Sequence, residues 1–126
     1  MLEEAQKDFL TGFYLRESLK PFLEKLMLDS SIKKRHFSVA LIDLDHFKRF
    51  NDKFGHNFGD EILKYAVSTI RLTFQGIQSY FFRYGGDEFI VVFPEKGPRE
   101  TFNLIRKCSY NLNHRLFLYK NKFYIN

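Results

Sequence analysis

Tryptophan is absent from the 126 residues, and cysteine occurs only once. With no Trp and sixteen Phe, most of them in periodic patterns, the chain points to a phenylalanine-packed core rather than a base-stacking platform. A lone Cys108 excludes an internal disulfide and argues against a cysteine-built zinc site. Within "FNLIRKCSYNL" it reads as a space-filling helix residue, and such sparse cysteine fits a reducing, cytoplasmic compartment. No apolar run approaches the ~18 residues a membrane span requires, and "MLEEAQKDFL" lacks the apolar centre of a signal peptide. Long blocks of one charge are also missing. The 20 Lys and Arg against 15 Asp and Glu leave +5, scattered through "SIKKRH", "FKRF" and "RK". That is a solvated surface, and nucleic-acid binding is the weakest reading. There is no repeat or low-complexity linker. What remains, 44% apolar and 28% charged, is enough for one globular domain over residues 1–126.

Apolar periodicity sets out the elements. Leu15, Leu19, Phe22, Leu23, Leu26 and Leu28 predict a helix over 13–28, with Pro21 able to kink or restart it. "FSVALID" (37–43) is an unbroken apolar run that predicts a central strand covered on both faces. Phe47, Phe50 and Phe54 predict a short helix over 45–55, with Asp45 as N-cap and Gly55 as stop. Ile62, Leu63, Ala66, Ile70 and Phe74 predict a longer one over 57–75. "SYFFRYGGDEFIVVF" reads as strand, glycine turn, strand. "ETFNLIRKCSYNLNHRLF" predicts another helix, and "LYKNKFYIN" a hairpin turning near Lys120-Asn121-Lys122. The succession fits an α+β, ferredoxin-like βαββαβ sheet with helices on one face.

Acidic residues interrupt this pattern where they are costly. Asp43 closes the first long strand, and Asp87 and Glu88 follow the Gly85-Gly86 pair at the head of another. In a βαββαβ sheet these strands are neighbours, so the three carboxylates can converge. Unaided they repel; a hard divalent cation with substrate phosphates removes the penalty. Acids at a turn are also commonly just solvated. The paired glycines would supply a positive-φ turn and let a phosphate approach bare backbone.

"GGDEF" at 85–89, with "DFLTGFYLR" (8–16), "DLDHFKRFNDKFGHNFGD" (43–60) and "FRYGGDEF" (82–89) in that order, resembles the GGDEF domains, the diguanylate cyclases. The resemblance spans nearly the whole chain. It implies the palm fold of nucleotide cyclases and condensation of two GTP into cyclic di-GMP, a bacterial second messenger, with release of two pyrophosphates. It further implies Mg²⁺ or Mn²⁺ held by Asp43, Asp87 and the Leu44 carbonyl, and Glu88 activating a 3′-hydroxyl. Gly85 and Gly86 would turn over the phosphates, Asn51 and Asp60 would read guanine, and Lys48 would contact a phosphate or pack its helix. A homodimer is implied, as is an N-terminal sensory or receiver domain in a parent protein, with residues 1–10 as the end of a connecting helix.

The chemistry suits these residue types. Guanine presents N1–H and N2–H₂ side by side, which one carboxylate accepts together, whereas adenine would leave Asp60 unsatisfied. The chain departs from the pattern at three places. Leu15 and Glu17 stand where the family carries Asn and Arg. Gly76 and Ser79 stand where many members have an R-x-x-D product-inhibition site. The family's last strand and helix are expected to be missing after residue 126. The alternative to a catalytic domain is a GTP-binding regulatory module without activity.

Overall fold

The computed structural model describes Leu2, residues 4–44 and residues 47–124, with Phe50 and residues 115–124 described by backbone alone. The first regular pairing is a two-residue strand, β1 (Tyr14–Leu15), followed by a 3₁₀ turn (Arg16–Ser18) and α1 (Leu19–Lys33). The helix expected over 13–28 therefore starts six residues late, because Tyr14 and Leu15 pair in parallel with Phe82 and Arg83. Pro21 falls at the third helical residue, where its missing N–H has no intrahelical partner to lose, so it starts the helix rather than kinking it. The described residues of 1–10 form no helix where the end of a connecting helix was expected. Among the described residues that stretch is irregular, and Lys7 bridges to Tyr14.

The remaining elements are β2 (Ser38–Asp43), α2 (Phe47–Phe54), α3 (His56–Thr73), β3 (Tyr80–Arg83), β4 (Glu88–Phe93) and α4 (Pro98–Tyr124). Asp45, the expected N-cap of α2, lies outside the described residues. Gly55 does end that helix: it takes φ 92° and donates its N–H to the Asn51 carbonyl at 2.8 Å, a left-handed position that glycine adopts without strain. The hairpin expected after residue 117 is replaced by an uninterrupted α4, since Lys120-Asn121-Lys122 contains no glycine or proline to break it.

The sheet runs β1-β3-β4-β2, with β2–β4 and β3–β4 antiparallel. The α+β class expected from the sequence is the one observed, with two corrections. Helices cover both faces. On one, α3 and α4 enclose Ile42, Phe89, Val91 and Phe93; on the other, Leu19 and Phe22 of α1 pack on Phe82, Ile90 and Val92. Nor is β2 central. It is an edge strand whose alternate residues Val39 and Leu41 are 45% and 59% exposed, while Ile42 is 8% exposed. An apolar run here records one buried face and one that α1 does not reach.

Phenylalanine does fill the core. Phe13 stacks on Phe81 with centroids 5.0 Å apart and meets Phe89 edge-on at 5.6 Å; Phe74 meets Phe93 edge-on at 5.1 Å. Cys108 is buried between α3 and α4, and burial pushes its thiol up to about 11 against a hydrogen bond with Thr73. It is a packing residue and no nucleophile.

The edge position of β2 is testable. Leu41→Ser is expected to change unfolding free energy by less than about 0.5 kcal/mol, whereas Ile42→Ala should cost about 2–4 kcal/mol. Urea unfolding of both variants measures the contrast, and equal losses would show β2 buried on both faces.

Candidate active site

The register of the β2–β4 ladder assembles the acidic end. Six pairs run from Ser38↔Phe93 to Asp43↔Glu88, and just beyond them the Leu44 N–H donates to the Asp87 carbonyl at 3.1 Å. Directly paired residues share a face, so Asp43 and Glu88 stand together on the face of Leu41 and Ile90. Leu44 turns its side chain into the opposite core. Asp43 is exposed, and Asp87 and Glu88 are half-buried. The expected convergence is thus met for the backbone, with Asp43, Leu44, Asp87 and Glu88 all at one end of the sheet. The cluster of three carboxylates is not formed: among the described residues no three acidic, His or Cys side chains lie close enough to share a metal ion. Glu88 instead folds back toward Gly85.

That contact explains Gly85. A Cβ there would overlap Glu88 Oε1 and stand 3.2 Å from its Cδ. The positive-φ turn expected of the glycine pair is not used, as neither glycine adopts a left-handed φ. The turn is wider than a two-residue hairpin, closed by Tyr84 N–H and Gly85 N–H both donating to the Glu88 carbonyl at 2.8 and 3.2 Å. A Cβ on exposed Gly86 would meet nothing within 4 Å, so that stretch of backbone is open to solvent.

Arg83 fastens this loop. Its Nε donates to the Gly85 carbonyl at 3.3 Å and its Nη2 to the Gly86 carbonyl at 2.8 Å. Its Nη1 reaches both Asp8 oxygens at 3.1 Å. Asp8 Oδ2 also accepts from the Thr11 N–H and hydroxyl, each at 2.8 Å. Burial alone would raise the Asp8 carboxyl, but the Thr11 hydrogen bonds and the Arg83 guanidinium outweigh it and hold the group below its ordinary value. Beside this clamp, the Arg16 guanidinium lies 4.2 Å from the centroid of the Tyr84 ring. Neither Asp8 nor Arg83 was predicted as a site residue. The only signal was the Asp8-x-x-Thr11 spacing of a side-chain-closed turn.

The proposed guanine readers sit at the corner between α2 and α3. α2 starts four residues after Asp43, so it leaves the sheet at the acidic end. The Asn51 carboxamide lies against Gly59, the residue before Asp60, and its Oδ1 is buried with no hydrogen-bond partner among the described residues. Because α3 opens at His56, Asp60 falls just past the first turn rather than within it. Lys48 is exposed on α2. Gly76 and Ser79 lie in the turn before β3, where Ser79 donates to the Ile77 carbonyl. A groove of about 400 Å³ among Leu10, Thr11, Lys64, Ser68 and Arg71 contains none of the predicted site residues.

A four-stranded sheet with acidic residues at the abutting ends of β2 and β4 and a glycine loop tied down between them defines an α+β domain of the GGDEF type. The family model described as "Diguanylate cyclase, GGDEF domain" matches residues 5–126, and the chain belongs to that family. It is 38% identical over 100 residues to diguanylate cyclase DosC of Escherichia coli (strain K12), covering 78% of this chain and 21% of that protein. Response regulator PleD of Caulobacter vibrioides is 37% identical over 112 residues, 89% of this chain and 24% of that one. The chain thus spans less than a quarter of these relatives' length. Among solved structures, the GGDEF domain of DgcB from Caulobacter crescentus, in complex with c-di-GMP, matches with a TM-score of 0.75 at 28% identity, covering 81% of this chain and 57% of that one. Diguanylate cyclase SiaD of Pseudomonas aeruginosa, solved with its activator SiaC, matches with a TM-score of 0.79 at 26% identity, covering 87% and 42%.

The clamp carries a pH signature. A carboxyl lowered in the folded state adds stability that is complete above its unfolded pKa of ~3.9 and is lost as pH falls through the lower folded value. Asp8→Asn should cost about 1–3 kcal/mol at neutral pH and flatten the fall in stability below about pH 4. Denaturant unfolding from pH 7 to pH 3 measures both, and parallel profiles for the two proteins would refute the pairing.

Proposed function

We propose that residues 1–126 form a single GGDEF domain that acts as the catalytic domain of a diguanylate cyclase, joining two GTP into cyclic di-GMP and releasing two pyrophosphates. The observation that carries the reading is the Asp43↔Glu88 register, continued by the Leu44–Asp87 hydrogen bond. It gathers oxygen donors of one kind at one sheet end, under a loop whose Gly86 backbone is open.

The donor set fits a hard divalent cation: two carboxylates, Asp43 and Asp87, and the Leu44 carbonyl, all oxygen, with positions left for phosphate and water. Mg²⁺ or Mn²⁺ bound there would polarise the α-phosphate and steady the departing pyrophosphate. The protein's own groups do the rest. Glu88, kept near Gly85, accepts the proton of the attacking 3′-hydroxyl. Gly85 and Gly86 offer main chain to the phosphates without a side chain in the way. Asp60 accepts from guanine N1–H and N2–H₂, Asn51 supplies a second polar contact to the base, and Lys48 is placed to balance phosphate charge. One site holds one GTP while the product joins two, so two copies face each other and each 3′-hydroxyl attacks the nucleotide held by its partner. In the parent protein, an N-terminal sensory or receiver domain would control that encounter. No helix among the described residues is long and apolar enough to cross a membrane.

The second reading is a GTP-binding regulatory module without activity. It is favoured by Leu15 and Glu17, in β1 and the 3₁₀ turn, in place of the family's Asn and Arg.

Calorimetric titration with Mg²⁺ is expected to show GTP binding at least ~10-fold tighter than ATP, the cost of an unsatisfied Asp60; equal affinities would overturn the base assignment. In the parent protein, Asp43→Ala and Asp87→Ala should each lower turnover by ~10²-fold or more while the domain stays folded. Turnover should also rise more than linearly with protein concentration. GTP binding without any cyclic di-GMP formation by the parent protein would select the regulatory module.

A further inference from the structure

We infer that Gly59 is a positioning residue for guanine recognition: its missing side chain is the seat of the Asn51 carboxamide. The inference rests on the reading of Asn51 as a guanine contact and adds how that contact is held.

Three residues spaced by four build the corner between α2 and α3. The Asn51 carbonyl accepts the Gly55 N–H at 2.8 Å, and the Gly55 carbonyl accepts the Gly59 N–H at 3.1 Å. Gly55 needs to be glycine for its backbone, with φ 92° and open space where a Cβ would go. Gly59 is the opposite case. It is buried inside α3, has no left-handed φ, and by helix propensity alone would be better as alanine. A Cβ there would overlap Asn51 Oδ1 outright and lie 2.6 Å from its Cγ and 3.1 Å from its Nδ2. Glycine is therefore kept for what sits on top of it.

What sits there is not held by internal hydrogen bonding. Asn51 Oδ1 is buried and has no partner among the described residues, an arrangement that costs stability rather than adding it. The lack of a side chain at residue 59 leaves the carboxamide its seat, and that same residue is joined by one peptide bond to Asp60. One short segment thus places both base-reading groups, so their spacing is set by covalent geometry and one van der Waals contact. Any side chain at 59 should move Asn51 without touching Asp60.

The test is a double-mutant cycle on this chain with Mg²⁺, read by calorimetry, with circular dichroism and unfolding curves as the folding control. Gly59→Ala is expected to weaken GTP binding about 10-fold, close to the loss from Asn51→Ala, and to leave ATP binding unchanged. The Asn51→Ala/Gly59→Ala double variant should bind GTP as Asn51→Ala does, because the displaced group is gone. In turnover by the parent protein, Gly59→Ala should raise KM for GTP with kcat retained. Wild-type GTP affinity in Gly59→Ala, beside a clear loss in Asn51→Ala, would overturn the positioning role. Unchanged affinity in Asn51→Ala would overturn the guanine reading itself. Should Gly59→Ala fail to fold, folding of the double variant supports the contact with Asn51, and its failure as well would show that Gly59 serves another neighbour.

Discussion

Six antiparallel pairs between β2 and β4 set the geometry on which the site depends. A strand has a side-chain period of two, so a slip of one residue would exchange its faces. Ile42 would leave the core under α3 and α4, and Asp43 would no longer stand opposite Glu88. The burial that holds the register is apolar and lies on the far face from the charges: Phe89, Val91 and Phe93 have essentially no exposed surface. Hydrophobic contact on one side of the sheet therefore fixes the placement of carboxylates on the other. The acids need contribute nothing to folding, and their mutual repulsion is tolerated at a strand end where water and counterions reach them.

A second level of order is polar. The glycine loop has few side chains of its own, and a loop of that composition is intrinsically loose. Arg83 supplies what is missing by donating to two of its carbonyls while its remaining nitrogen is engaged by Asp8, 75 residues away in sequence. Asp8 in turn is preorganised by Thr11. The partners' side chains are only 20% and 17% exposed, so solvent screening is weaker than for the half-exposed surface pair Lys33–Asp29 on α1. Loop geometry thus depends on the segment preceding β1.

Much of this was legible in the sequence. The expected α3 residues Ile62, Leu63, Ala66 and Ile70, with Phe74 just past its end, are all buried, and Val67, Thr69 and Thr73 join them, because a long amphipathic helix repeats its signal many times. Asp43 could be matched to the Glu88 end because strand order follows from the βαββαβ succession. The errors have physical causes. Leu15 fits a helical spacing with Leu19 and Phe22, yet tertiary pairing with β3 outweighs local periodicity. "FSVALID" gave no sign that α1 would cover β4 and leave β2 bare. The double glycine suggested left-handed backbone, whereas Gly85 makes room for a side chain three residues on. Arg83–Asp8 joins segments 75 residues apart and Asn51–Gly59 spans the corner between α2 and α3, and no periodicity encodes either contact.

The bare flank of β2 has a consequence for how this chain behaves in a test tube. Among the described residues its outer edge pairs with no strand, and "SVALI" presents Val39 and Leu41 beside unpaired main-chain groups, with no lysine or proline to blunt them. Such an edge is a template for any extended segment of another molecule. Where nothing else covers it, this edge is the place at which a second molecule would add a strand to the sheet.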